Sequence, residues 1–328
     1  MITERIALTA LLLATTAGGY SFHRFQQQRL ERRFRAAGLR PYRASLPGGE
    51  VRYWAGGAGG AKPLLLVHGF GGDALWGWHQ QSSLAKDRFL IVPDLLWFGG
   101  SHAPVADYST AYQAEVMMQL LDHLAIDRMD VAGISYGGFV TLELAHGWPS
   151  RFDRVVLVDS PGHTYTLDDY HDMLDRKGLR SVAELVVPDD PSGVQRLIRL
   201  AYHRPPPVPA FVARDVFAKM FSTWREQKVR LLDELLGRAG DPELTQYEIH
   251  QPTLILWGEH DTLFPASLAH RLAQGIGPNA RVELIPLANH APNMERPLYF
   301  NRALCRFLAS QRAAEQHPAS DAALQQSA

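Results

Sequence analysis

The chain of 328 residues holds one cysteine, Cys305, which excludes an intramolecular disulfide framework. That cysteine falls in the apolar-periodic stretch FNRALCRFL, where a buried structural thiol is expected. Excess charge is missing as well. Lys and Arg number 33 against 34 Asp and Glu, and the net charge of -1 gives no case for a nucleic-acid partner. None of the 14 histidines has a second one four residues away beside a glutamate, the spacing of a helical zinc site, so no metal is expected. No G-x-G-x-x-G follows the first buried strand, which argues against a nicotinamide, and no other cofactor is expected either. No cluster of Lys and Arg beside the motifs below marks a phosphate site.

Long hydrophobic runs are also scarce. The one uncharged apolar run at the start, IALTALLLATTA at residues 6–17, falls short of the roughly 20 residues that span a bilayer comfortably. It fits a short anchor or the core of a signal peptide. Residues 23–43 that follow carry seven arginines and one acid, Glu31. Positive charge just after the run disfavours cleavage and, by the positive-inside rule, holds the following residues on the cytoplasmic side. The expected reading is a membrane-surface anchor within residues 1–22 and a basic linker over 23–43. A plain basic leader and an exported, cleaved chain are the alternatives.

What is present is an alternation of strands and helices. ASLPGG and EVRYWAGG predict two short strands around a Pro-Gly-Gly turn. KPLLLVHGF, RFLIVPDLL, RMDVAGIS, RVVLVDSPG, PTLILWGEHD and RVELIPLANH are continuous apolar runs that suit strands buried on both faces. Helical spacing fills the intervals, as in STAYQAEVMMQLLDHLAI with Ser109 or Thr110 as its N-cap. This predicts an α/β fold with a mostly parallel eight-stranded sheet flanked by helices. The alternation lapses over residues 163–248, which predict an inserted helical lid between two core segments, 44–162 and 249–313. A polar tail over 314–328 is expected to be disordered.

One serine stands out. Gly133-Ile134-Ser135-Tyr136-Gly137 joins a strand to a helix and fits G-x-S-x-G, in which a cramped turn holds a nucleophile at a strand end. Alone the pattern is common and could be a glycine-rich turn. His290, 155 residues later on a strand-end loop, supplies a base, and Asp261 between them supplies an acid. In this order His290 takes the Ser135 proton while Asp261 fixes the imidazole. Asp261 as a helix cap and His290 as a loop residue are the bland readings, weakened by three strand-end coincidences in one order. Asp159 is a second strand-end acid, and Asp94 is expected to order a loop. The flexible segment His68-Gly69-Phe70-Gly71-Gly72 can turn backbone N–H groups inward, so Phe70 and Tyr136 are the expected oxyanion donors. His68 is expected to brace that loop.

The set HGFGG, PDLLWFGGS, GISYGG, WGEHDTLFP and NHAPNMERP resembles the α/β-hydrolase superfamily, from about Ser45 to Leu308. Serine at the nucleophile position argues against the members that use aspartate there, the haloalkane dehalogenases and epoxide hydrolases. The short apolar start and helical insertion are similar to membrane-associated monoacylglycerol lipases and related esterases. The resemblance implies a serine hydrolase that cleaves carboxylic esters of lipid-like substrates through an acyl-enzyme. It also extends to carbon–carbon-bond hydrolases of ring-cleavage (meta-cleavage) products, and a non-catalytic ligand receptor on the same fold is a third possibility. Asn289 departs from the pattern, which usually has glycine before the histidine. Trp76, Trp97, Phe98, Phe217 and Trp224 are the aromatics expected to line an apolar substrate pocket.

Overall fold

A computed structural model of the protein describes residues 21–240 and 247–309. The expected membrane run at residues 6–17 and the tail at 314–328 lie outside them. Among the described residues no helix is long and apolar enough to cross a membrane.

The arginine-rich segment read as a linker is folded. It forms helix α1 (Phe22–Ala36), capped by Ser21, whose side chain accepts from the Arg24 N–H. Leu30 and Phe34, four residues apart on one face, are buried, and Phe34 meets the Trp54 ring edge-on at 5.4 Å. Two buried residues make too narrow an apolar stripe to announce a packed helix. Docking is completed by polar contacts, among them Trp76 Nε1 to Gln27 and Arg33 Nε to Ser82. The chain then enters an antiparallel hairpin of β1 (Leu39–Leu46) and β2 (Gly49–Gly57), so the first strand starts ahead of the expected ASLPGG.

The remaining strands are β3 (Pro63–Val67), β4 (Phe89–Pro93), β5 (Met129–Ile134), β6 (Phe152–Val158), β7 (Thr253–Gly258) and β8 (Ala280–Ile285). They form one eight-stranded sheet in the order β1-β2-β4-β3-β5-β6-β7-β8. Every pairing from β4 to β8 is parallel, and only β2 on β1 and on β4 is antiparallel. The sheet is buried on both faces: Leu65 and Val67 of β3 point to one core layer, Leu64 and Leu66 to the other. Period-two alternation with apolar residues at every position requires such double cover.

Helices α2 (Ala74–Trp78), α3 (Thr110–His123) and α4 (Tyr136–Gly147) lie within the first half of this sheet's sequence. After β6 come α5 (Leu167–Lys177), α6 (Ala183–Val186), α7 (Pro191–Ala201), α8 (Ala210–Val216) and α9 (Arg225–Gly237), with one π-helical turn, Phe217–Phe221, between the last two. Residues 163–248 contain no strand among those described. The helices α10 (Ser267–Ile276), α11 (Pro292–Glu295) and α12 (Pro297–Ala309) complete the fold. On α12 the buried positions are Phe300, Ala303, Leu304, Phe307 and Leu308. Cys305 falls on the opposite side and is exposed, not the buried thiol expected. Helical period decides this: Leu304 and Phe307, close to Cys305 in sequence, lie on another face of the helix.

Candidate active site

Ser135 sits between β5 and α4 with φ 53° and ψ −121°, backbone that a non-glycine residue adopts only when its surroundings enforce it. The enforcement is visible in the glycines around it. A Cβ on Gly133 would lie 2.2 Å from the Gly137 carbonyl oxygen, and one on Gly137 would lie 2.4 Å from that of Val67. Strand and helix therefore approach closely enough to hold the turn only without those side chains. The Ser135 N–H donates to the Val158 carbonyl at 2.8 Å, tying the turn to β6.

His290, on the loop between β8 and α11, places Nε2 3.0 Å from Ser135 Oγ and Nδ1 2.8 Å from Asp261 Oδ2. An ionised carboxylate only accepts, so Nδ1 carries the proton and Nε2 is left to accept from the Ser135 hydroxyl. Asp261 is itself fixed, since its Oδ1 accepts from the N–H groups of Leu263 and Phe264. The structure thus brings the three predicted residues into one hydrogen-bonded row. Asn289, the departure from the glycine pattern, braces the loop: its Oδ1 accepts from the N–H of Thr262 and of His290. Its own N–H donates to Glu295 Oε2 at 2.7 Å.

Asp159 follows β6 and lies beside this row. Donor atoms of Asp159, Asp261 and His290 all fall within 4.8 Å of one another, a grouping that could in principle hold a cation. The His290–Asp261 hydrogen bond already occupies two of the three. Burial, then the neighbouring Asp261 charge, push the Asp159 carboxyl well above the usual carboxylate range, which favours its neutral form. A neutral acid is a poor cation ligand.

Phe70 follows β3 in the HGFGG loop. Among the described residues neither its N–H nor that of Tyr136 has a hydrogen-bond acceptor. Two features fix this loop. His68 accepts from the Leu95 N–H at Nε2, and its Nδ1–H donates to the Gly69 carbonyl. Asp94 accepts from the Ala74 and Gly100 N–H groups, each at 2.9 Å, and burial raises its carboxyl to about 7.

Ser135 opens into a cavity of about 870 Å³, part of it continuous with solvent. The walls are apolar: Phe139 and Leu142 of α4, Met173 of α5, Leu235 and Leu236 of α9, and Phe264. None of the five aromatics expected at the pocket lines this cavity, whereas Phe98 and Trp224 line a second one that meets it at Phe70. Trp97 is buried against Trp224, and Phe98 lies beneath Phe70. Trp76 stacks on His23, and Phe217 packs against the main core from the π-helical turn. Aromatics near strand ends were the visible signal, but the cavity's walls are set by where the inserted helices come down. Their leucines and Met173 carry no mark in the sequence that separates cavity wall from core.

A family model for the alpha/beta hydrolase fold matches residues 62–297. A 2-hydroxymuconate semialdehyde hydrolase of Pseudomonas putida is 31% identical over 257 residues, which span 75% of this chain and 87% of that protein. Lipase 1 of Psychrobacter immobilis is 28% identical over 76% of this chain and 77% of its own. Among solved structures, a membrane phospholipase A described as a bacterial virulence factor superposes with a TM-score of 0.77 at 25% identity. That superposition covers 95% of this chain and 99% of the other. The chain belongs to the alpha/beta hydrolase fold family.

Proposed function

We propose that this member of the alpha/beta hydrolase family is a serine hydrolase of carboxylic esters with an extended apolar acyl group, of monoacylglycerol-lipase or carboxylesterase type. One observation carries the reading: Ser135, in one hydrogen-bonded row with His290 and Asp261, lines an apolar cavity suited to an acyl chain. In this mechanism Ser135 Oγ attacks the ester carbonyl carbon as His290 Nε2 takes its proton. Asp261 stabilises the imidazolium. The carbonyl oxygen gains charge opposite the unpaired N–H groups of Phe70 and Tyr136, where such donors act most strongly. The C–O bond breaks, His290 protonates the departing alcohol, and an acyl-Ser135 remains. Water then attacks that ester with His290 as base, and the acid is released.

Esterase and lipase chemistry in the lipase and phospholipase relatives supports this reading. Carbon–carbon hydrolysis draws support from the Pseudomonas putida hydrolase. The cavity favours esters, because its one cationic wall residue, Arg238, is paired with Glu143 at 3.4 Å and not held ready for an acidic substrate. A ligand receptor would leave the strained serine and its two hydrogen-bonded partners without use. Labelling of wild type, and not of Ser135→Ala, by a fluorophosphonate tests the nucleophile. Hydrolysis of a ring-fission dienoate but of no ester would move the assignment to the carbon–carbon reaction.

The proposed location is a membrane surface, through residues 6–22, with the folded part on the cytoplasmic side. Deletion of residues 1–20 preserves the Ser21 cap of α1 and is expected to move the protein from the membrane to the soluble fraction. Unchanged fractionation would refute the anchor.

A further inference from the structure

A second cavity of about 660 Å³ meets the first at Phe70, which lines both. Its character is opposite. Three cationic side chains from separate elements border it: Lys219 of the π-helical turn, Lys228 of α9, and Arg52 of β2, which also forms a long ion pair with Asp94 at 3.7 Å. One acid, Asp73, faces them. Arg52 lies more than 160 positions before Lys219 and Lys228, so the three did not read as one cluster of cations in the sequence.

Lys228 is the unusual member. It is 5% exposed, and its Nζ donates to the Met220 and Thr223 carbonyls at 2.9 and 3.1 Å. Its ammonium also lies 5.3 Å from the centre of the Phe98 ring. Among the described residues no carboxylate forms a salt bridge with it. A buried cation without a counter-ion is costly, and burial lowers the Lys228 ammonium to about 8. Two of its three N–H donors are used, so one remains for a ligand in the cavity.

We propose that this cavity receives a phosphate group on the alcohol side of the ester, while the acyl chain lies in the Ser135 cavity. The inference rests on the ester-hydrolase reading. A tetrahedral oxyanion can accept from three cations placed around it, whereas a carboxylate offers two oxygens in one plane. In the reaction the bond from the acyl carbon to the glyceryl oxygen breaks, and His290 supplies the proton to that oxygen. Glycerol phosphate departs with its phosphate ester intact, and the acyl group stays on Ser135 until water removes it.

The test compares 1-acyl-glycerol 3-phosphate with the monoacylglycerol of the same chain length, on the full-length protein. The ratio of their kcat/KM values is expected to favour the phosphate-bearing ester and to fall about tenfold or more in Lys228→Gln, as for loss of one charge-assisted hydrogen bond. Because Lys228 is buried, Lys219→Gln at the exposed rim is the second variant, and a smaller fall in the same ratio is expected. Glycerol 3-phosphate is expected to inhibit competitively and more strongly than inorganic phosphate. A ratio unchanged in both variants overturns the subsite. So does inhibition by inorganic phosphate alone without ester selectivity, which would mark a free-anion site. Wild-type turnover of a p-nitrophenyl ester keeps the two readings apart: its absence refutes ester hydrolysis, whereas its presence with no phosphate selectivity refutes only the subsite.

Discussion

Asp159 and Asp261 follow neighbouring parallel strands and bring their carboxyls to the same place, yet the Nδ1 hydrogen bond of His290 goes to Asp261, at 2.8 Å. Asp159 instead accepts from the Gly258 N–H at 2.8 Å with Oδ1. The strand-end position alone does not separate the two acids. The hydrogen bond from His290 does, and a buried carboxyl whose neutral form is favoured is the weaker partner for an imidazolium.

Asp261→Asn is therefore expected to lower kcat on the order of 10⁴-fold by disturbing the tautomer of His290. Asp159→Asn replaces one neutral group by another and retains an oxygen for Gly258, so a loss below about tenfold is expected, consistent with one neutral hydrogen bond at most. Steady-state kinetics on a p-nitrophenyl ester distinguishes them. The reverse ranking would reassign the triad acid to Asp159.

The loop that carries His290 depends on the side chain of Asn289. Asn289→Gly removes the acceptor of the Thr262 and His290 N–H groups. Loss of these bonds is expected to lower the unfolding free energy by about 1–3 kcal/mol. A displaced imidazole should also lower kcat about ten- to a hundredfold, since misplacement of 1 Å can have that effect. Denaturant titration and kcat check the two parts separately. An unchanged kcat would show that the loop holds His290 without Asn289.

The triad and the sheet were legible because both follow from chain-local patterns: apolar runs stopped by glycine, and polar residues just past their ends. Helix α1 was not, because its anchoring contacts, such as Ser21 and the His23 N–H on Asp215, join residues about 190 positions apart. The walls of the Ser135 cavity were misread for a related reason, although Phe98 and Trp224 do line the second cavity. Trp97 has the same apolar, strand-end appearance as Phe70, but it takes φ 72° and turns into the core against Trp224, while Phe70 borders both cavities. Which way an aromatic turns depends on the inserted helices, and no periodicity encodes their placement.

Asp94 gives the molecule a pH dependence with a definite sign. Its carboxyl rises from 3.8 to about 7, chiefly by burial, so the folded state holds a proton that the unfolded chain releases. The associated stability is complete below about pH 4 and is lost as pH rises through 7. Asp94→Asn removes the titration but can no longer accept from both Ala74 and Gly100. That variant is expected to be less stable at pH 5, by about 1–3 kcal/mol, and to lose less stability than wild type between pH 5 and pH 8. Urea unfolding at the two pH values measures both. Parallel pH dependence in the two proteins would refute the assignment of the slope to Asp94.

Acyl length should be set by α9. Leu236 lies on the wall of the Ser135 cavity and is only partly buried, so a larger side chain there enters empty space and leaves the main core in place. Leu236→Trp is expected to shorten the usable cavity by the length of a few methylenes. Each buried methylene contributes about 0.8 kcal/mol, so excluding two of them lowers kcat/KM for a long-chain ester by about tenfold or more. A short-chain ester that never reaches α9 has no such contact to lose, and its kcat/KM should change less than about twofold, the scale of a surface substitution. A p-nitrophenyl ester series from short to long chains checks this directly. Equal losses across the series would mean that the acyl chain lies elsewhere, and would direct it to the cavity beyond Phe70.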